Sequence, residues 1–145
     1  METTYQTEAE IHALVRQFEE KTLPPEKWTH KAHVTVAAIY LLDHTPDEAI
    51  CFLRSNIITY NAATGGVNTP ARGYHETMTL FWVWLVMTWL AKFGGGRDLL
   101  TVVNDLLASP LAGSDAPMRY YSRELITSVR ARARWVEPDL QELEL

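Results

Sequence analysis

Cysteine and secretory features are scarce in this chain, and each shortage excludes a class of protein. Cys51 is the only cysteine, so neither an intramolecular disulfide nor a paired-cysteine metal knuckle can form. The first twelve residues, METTYQTEAEIH, lack the basic start and the apolar run of a secretory signal. Both observations fit a reducing compartment, and we expect a cytoplasmic protein.

Long apolar runs are also missing. The most apolar segment, residues 78–91, contains three tryptophans but is shorter than the roughly 20 apolar residues that a membrane-spanning helix needs. Thr79 and Thr88 interrupt it further. The segment therefore predicts a buried central helix, and we expect no membrane partner.

Positive charge is in short supply as well. The chain has 13 Lys and Arg against 18 Asp and Glu, a formal net charge of −5. Nucleic-acid binding needs a clustered basic surface, and the densest cluster here, Arg130, Arg132 and Arg134, is followed at once by Glu137 and Asp139. We interpret this cluster as a solvated helix face and expect no nucleic-acid partner.

What the chain does have is helical periodicity. Hydrophobic residues make up 47% of its 145 residues, which is enough for one domain with a substantial core. Apolar positions recur at helical spacing between capping residues and Pro or Gly stops. The predicted helices cover about 8–21, 29–43, 46–60, 74–93, 98–107 and 119–127, with a further turn over 128–134. We therefore predict an all-α, single-domain bundle over residues 1–145, with five to seven helices around the aromatic-rich one.

The first candidate site lies at the start of the second helix, in the sequence WTHKAH of residues 28–33. His30 and His33 are three residues apart, so their side chains are neighbours on a helix. The positive end of the helix dipole disfavours imidazolium, and neutral imidazole is the form that coordinates a metal. The pair is a predicted set of metal ligands. The alternative is two hydrogen-bonded histidines at a helix start.

The second candidate site is the sequence GYHET of residues 73–77, at the start of the fourth helix. His75 is predicted to head the inward face of this helix, and it would join His30 and His33 if the two helix starts face each other. Three such ligands leave coordination positions open for water or substrate. Glu76 is then a fourth ligand or a general base acting on metal-bound water. Its alternative role is to stabilise the helix N-terminus.

The loop over residues 61–73, NAATGGVNTPARG, precedes this helix. Asn68 and Arg72 place donors close to a helix N-terminus, where an anionic group is stabilised. Together with Tyr74 they are predicted to orient a small polar or anionic substrate. The glycines match neither the P-loop nor the dinucleotide fingerprint, and the chain has no HExxH motif and no nucleophile elbow.

Three segments carry a resemblance to known sequences: LPPEKWTHKAH, YNAATGGVNTPARGYHET and WVEPDL. Together they resemble a family of small uncharacterised bacterial proteins with W-T-H-x-A-H and G-Y-H-E-T signatures. The similarity spans most of the chain. It implies a bacterial origin and a shared site, and it assigns no activity.

Three functions stay open at this point. The first is an enzyme that uses a divalent metal, zinc or iron, bound by His30, His33 and His75, for hydrolysis or oxygen chemistry. The second is a non-enzymatic module that holds a small molecule in an aromatic-lined pocket under the 61–73 loop. The third is an interaction protein whose exposed aromatic surface pairs it with a partner or with a second copy of itself.

Overall fold

Helices account for the architecture of the computed structural model, which describes residues 3–145. Seven α-helices occur in that range: α1 (Glu8–Glu19), α2 (His30–Asp43), α3 (Pro46–Ala63), α4 (Glu76–Phe93), α5 (Leu99–Ala108), α6 (Arg123–Ile126) and α7 (Val129–Ala133). Across the same range there is no β-strand, and Thr69 and Arg72 form only an isolated bridge. The prediction of an all-α, single-domain helical bundle is confirmed.

Capping side chains explain where the helices begin. Thr45 and Glu48 form a reciprocal capping box at the start of α3, in which each side chain bonds the backbone N–H of the other residue. The Thr29 hydroxyl accepts the backbone N–H of Ala32 at the start of α2. Such side chains satisfy donors that have no partner within the helix, and each is worth about 1 kcal/mol.

The helix α4 lies at the centre and packs against α2, α3, α5 and α7. Phe81, Leu85 and Trp89 are buried, while Trp82 and Trp84 are half-buried at its edges. Full burial of a side chain such as Phe81 contributes about 1.5–3 kcal/mol, so this helix anchors the core. Within residues 3–145, no helix combines the length and the apolar character that crossing a bilayer requires.

The C-terminal segment fixes the start of α4. The Thr77 hydroxyl donates to the carbonyl of Arg134 at 2.8 Å and accepts the backbone N–H of Val136 at 3.2 Å. The buried Tyr121 hydroxyl donates to the carbonyl of Val136 at 2.7 Å. The first turn of α4 is therefore held by chain that follows it by more than fifty residues.

Candidate functional site

The two predicted histidines of α2 both bond to backbone carbonyls. His30 donates from Nε2 to the carbonyl of Ala112 at 2.9 Å, and its ring packs against Trp82. His33 donates from Nδ1 to the carbonyl of Thr29 at 2.8 Å. A carbonyl oxygen can only accept, so these bonds assign a proton to Nε2 of His30 and to Nδ1 of His33.

His75 serves as the N-cap of α4, one residue before the helix begins. Its Nδ1 accepts the backbone N–H of Met78 at 3.1 Å, and its Nε2 donates to the carbonyl of Ile126 at 2.7 Å. Both ring nitrogens are thereby used in the neutral form. Burial lowers the pKa of His75, which favours that neutral form at pH 7. In this neutral ring only Nδ1 has a lone pair that could coordinate a metal, and that lone pair already accepts the N–H of Met78.

Glu76 is an ion-pair partner in this structure. Arg54 of α3 donates to its two carboxylate oxygens at 3.0 and 2.5 Å, and the Tyr74 hydroxyl donates to it at 2.6 Å. The hydrogen bonds from Arg54 are the main reason why the pKa of Glu76 lies below its usual range. A carboxylate held in this way ties α4 to α3, and the general-base prediction gains no support from the arrangement.

The three predicted metal ligands do not converge. His33 and His75 line one cavity, whereas His30 faces a separate cleft beside Ala112. Among residues 3–145, no three His, Cys, Asp or Glu side chains are placed to hold one metal ion. Metal binding stays a prediction from the sequence, without support from the positions of these side chains.

The loop after α3 is shaped by Asn68 and Gly73. Gly73 has a φ of +99°, and a Cβ there would overlap the side chain of Asn68. The Asn68 oxygen accepts the backbone N–H of Tyr74 at 3.4 Å. Of the three predicted substrate-binding residues, Asn68 therefore supports the loop, Arg72 lies on its exposed surface, and Tyr74 reaches the cavity.

Arg132 of α7 has a role that corrects the sequence interpretation. Its guanidinium donates to the carbonyl of Gly73 at 2.8 Å and to that of Ala71 at 3.1 Å. The interpretation of Arg132 as part of a solvated helix face is wrong, whereas Arg130 and Arg134 are exposed as expected. The acceptors are backbone carbonyls 59 and 61 positions away, so no local pattern could have indicated them.

A two-part cleft lies between α2, α3 and α4. The inner cavity has a volume of about 180 Å³, and its wall is mostly apolar. That apolar wall consists of Trp28, Ala37, Leu53, Ile57, Met78 and Trp82. The outer cleft, about 420 Å³, lies under the loop and is bordered by Gly65, Gly66, Val67, Thr69 and Arg72. Trp28, His33, Asn61 and Gly73 line both parts, so these four residues mark the boundary between them.

Two of the cleft residues differ from the sequence interpretation, which places Trp82 in the core and Asn61, a candidate hydrogen-bond donor, in the loop. Trp82 has the helical spacing of a core residue, and it does contact Phe81, but its half-buried ring also lines the inner cavity. Asn61 lies where the third helix was predicted to have ended, yet α3 continues to Ala63 and carries Asn61 to the boundary.

His33 is a polar group at the boundary with an unused lone pair. Its ring centroid lies 3.7 Å from that of Trp28. Loss of solvent around the ring is the main reason why the pKa of His33 is lowered; the hydrogen bond to Thr29 acts in the opposite direction, and the neighbouring His30 lowers the pKa further. Part of the His33 residue is exposed to solvent, which makes the lowering of its pKa smaller. A lowered pKa still means that the imidazole is neutral at pH 7.

Comparison with known proteins assigns no class to the chain. No family model, no curated protein and no solved structure matches it. The resemblance to bacterial proteins with W-T-H-x-A-H and G-Y-H-E-T signatures stays a prediction.

Proposed function

We propose that the protein binds a small, mainly apolar molecule in the inner cavity. The supporting observation is a cavity of about 180 Å³ that has Trp28 and Trp82 in its wall and continues into the outer cleft. Binding sites for small molecules are typically concave and mostly apolar, with a few polar groups in fixed positions. An engineered apolar cavity of about 150 Å³ takes up benzene, so this one has room for one aromatic ring with a short substituent.

The surrounding hydrogen bonds favour binding over the metal-dependent reaction predicted from the sequence. His75 has a protein partner on each ring nitrogen, and the Glu76 carboxylate is bonded to Arg54 and Tyr74. Coordination of a metal by Nδ1 of His75 would require the bond from Met78 to break, and the hydrogen bonds to Glu76 make its carboxylate a weaker base. An apolar ligand in the inner cavity leaves all of them intact. The metal-dependent enzyme and the interaction protein stay predictions without a supporting contact.

Filling the cavity tests the proposal. Ile57 of α3 lines the inner cavity, and its neighbour Ile58 is exposed and lies outside both parts of the cleft. We expect toluene to change the tryptophan emission of the wild type saturably, because two of the five tryptophans line the cavity. Ile57→Phe is expected to weaken toluene binding at least 10-fold, about 1.4 kcal/mol, by occupying the same space.

The matched control is Ile58→Phe, which adds the same ring on the same helix and is expected to bind toluene like the wild type. Circular dichroism melts establish that both variants are folded. Equal affinity in the wild type and Ile57→Phe would contradict binding in the inner cavity, as would a linear, unsaturable response. Repeating the toluene titration with EDTA distinguishes this proposal from the metal hypothesis. Loss of binding on chelation would mean that the site needs a bound metal.

A further inference from the structure

His33 presents a hydrogen-bond acceptor to the cleft. Its Nδ1–H donates to the carbonyl of Thr29 at 2.8 Å, so the unprotonated nitrogen of the neutral ring is Nε2. This is the ring's only hydrogen bond within the part of the chain that the structure describes. The residue lines both the inner cavity and the outer cleft, and its Nε2 lone pair has no partner among the described residues.

The imidazole is held in place before any ligand arrives. One face lies against Trp28, with the ring centroids 3.7 Å apart, and Trp28 is itself stacked on the buried Phe18 at 4.2 Å. The bond from Nδ1 to Thr29 fixes the rotation of the ring as well. An acceptor fixed in this way loses little conformational freedom when it binds, so its contribution to affinity is not offset by ordering.

The groups around the ring keep it a neutral acceptor. Besides His33, the titratable side chains that line the two parts of the cleft are Arg72 and Tyr74 from the loop and His75 from the cap of α4. The neighbouring His30 lowers the pKa of His33, because a positive charge nearby disfavours imidazolium. Across residues 3–145, no carboxylate lines either part, so no charge there favours protonation of His33.

We infer that the ligand of the proposed function is a phenol-like molecule: its ring fills the inner cavity and its hydroxyl donates to Nε2 of His33. A ligand with an N–H donor on a single aromatic ring could make the same hydrogen bond to Nε2. An anionic carboxylate does not, because its oxygens would face the lone pair of Nε2. The inference rests on the proposed function and adds the donor group that a purely apolar ligand lacks.

Three compounds of similar size separate the donor from the ring. Toluene has no polar group, anisole has an oxygen that cannot donate, and phenol has the hydroxyl. By isothermal titration calorimetry, we expect wild-type protein to bind phenol about 3- to 10-fold more tightly than anisole, the range that one net hydrogen bond gives. In His33→Ala the preference for phenol is expected to disappear, while the affinity for toluene stays within about 2-fold because the cavity wall is otherwise unchanged.

His12→Ala is the matched control, since His12 is exposed on α1 and lines neither part of the cleft. It is expected to keep the full preference for phenol. A preference that survives His33→Ala, or equal binding of toluene and phenol to the wild type, would overturn the inference and leave the proposed function standing. Tighter binding of benzoate, lost in Arg72→Ala, would overturn it in favour of an anionic ligand. If none of the compounds binds, the proposed function fails and this inference fails with it.

Discussion

His75 has a protein partner on each ring nitrogen, whereas His30 and His33 each use one. The three histidines therefore have different structural roles. His75 joins the start of α4 to the carbonyl of Ile126, and His30 joins α2 to the carbonyl of Ala112. His33 bonds only within its own turn, so its second nitrogen is available to the cleft.

At the scale of single residues, we predict that His75→Ala destabilises the protein by about 1–3 kcal/mol at pH 7.5. About 1 kcal/mol comes from the lost helix cap and a similar amount from the bond to Ile126. Urea unfolding measures the difference. His12→Ala on the exposed face of α1 is expected to change the free energy of unfolding by less than about 0.5 kcal/mol.

The difference in unfolding free energy between the wild type and His75→Ala is expected to depend on pH. Burial places the pKa of His75 below that of an unfolded histidine, about 6.5. The unfolded chain therefore binds more protons as the pH falls below about 6.5, and the stabilisation from neutral His75 is complete above that pH and lost below it. The stability difference between wild type and His75→Ala should shrink from pH 7.5 to pH 5. A difference that is constant or grows on acidification would contradict the assigned neutral ring.

At the scale of the elements, the two sequence signatures mostly build the starts of α2 and α4. In WTHKAH, Thr29 caps α2 and His30 reaches Ala112. In GYHET, His75 caps α4 while Thr77 bonds the C-terminal segment. A helix start buried without such partners would leave N–H groups unpaired, so these short polar runs are explained by folding before any ligand is considered.

The loop over the cleft depends on one distant side chain, and this gives a second prediction at this scale. Arg132→Ala removes the bonds to the carbonyls of Ala71 and Gly73, so we expect faster hydrogen exchange at the backbone amides of Thr69 and Arg72, which bond each other across the turn. Arg130→Ala, two residues earlier and exposed, is the matched control. Unchanged exchange in Arg132→Ala would show that the loop holds its shape without α7.

The sequence predicts elements better than it predicts the site, for a physical reason. Helix starts such as Thr45 with Glu48 are set by contacts within four residues, so spacing reveals them. The partners of His75 and Glu76, Ile126 and Arg54, lie far away along the chain. Periodicity indicates which face of a helix is buried, but it does not indicate which carbonyl or guanidinium lies opposite.

At the scale of the whole molecule, the cleft arises where α2, α3 and α4 surround a space that their side chains leave unfilled. The half-buried ring of Trp82 and the stack of Trp28 on Phe18 hold its walls, and the loop covers the outer part. A ligand that binds only the folded chain stabilises it by mass action, by about 2.7 kcal/mol at a concentration 100 times its Kd. Binding and stability are thus coupled through the same three helices.

The most direct test of the account is a crystal structure of the protein soaked with 4-bromophenol, with the bromine located by its anomalous signal. We expect the bromine inside the inner cavity, among Leu53, Met78 and Trp82, and the phenol oxygen within hydrogen-bond distance of Nε2 of His33. Bromine only on the outer surface, with the inner cavity empty at saturating compound, would contradict the claim that this cleft is a binding site.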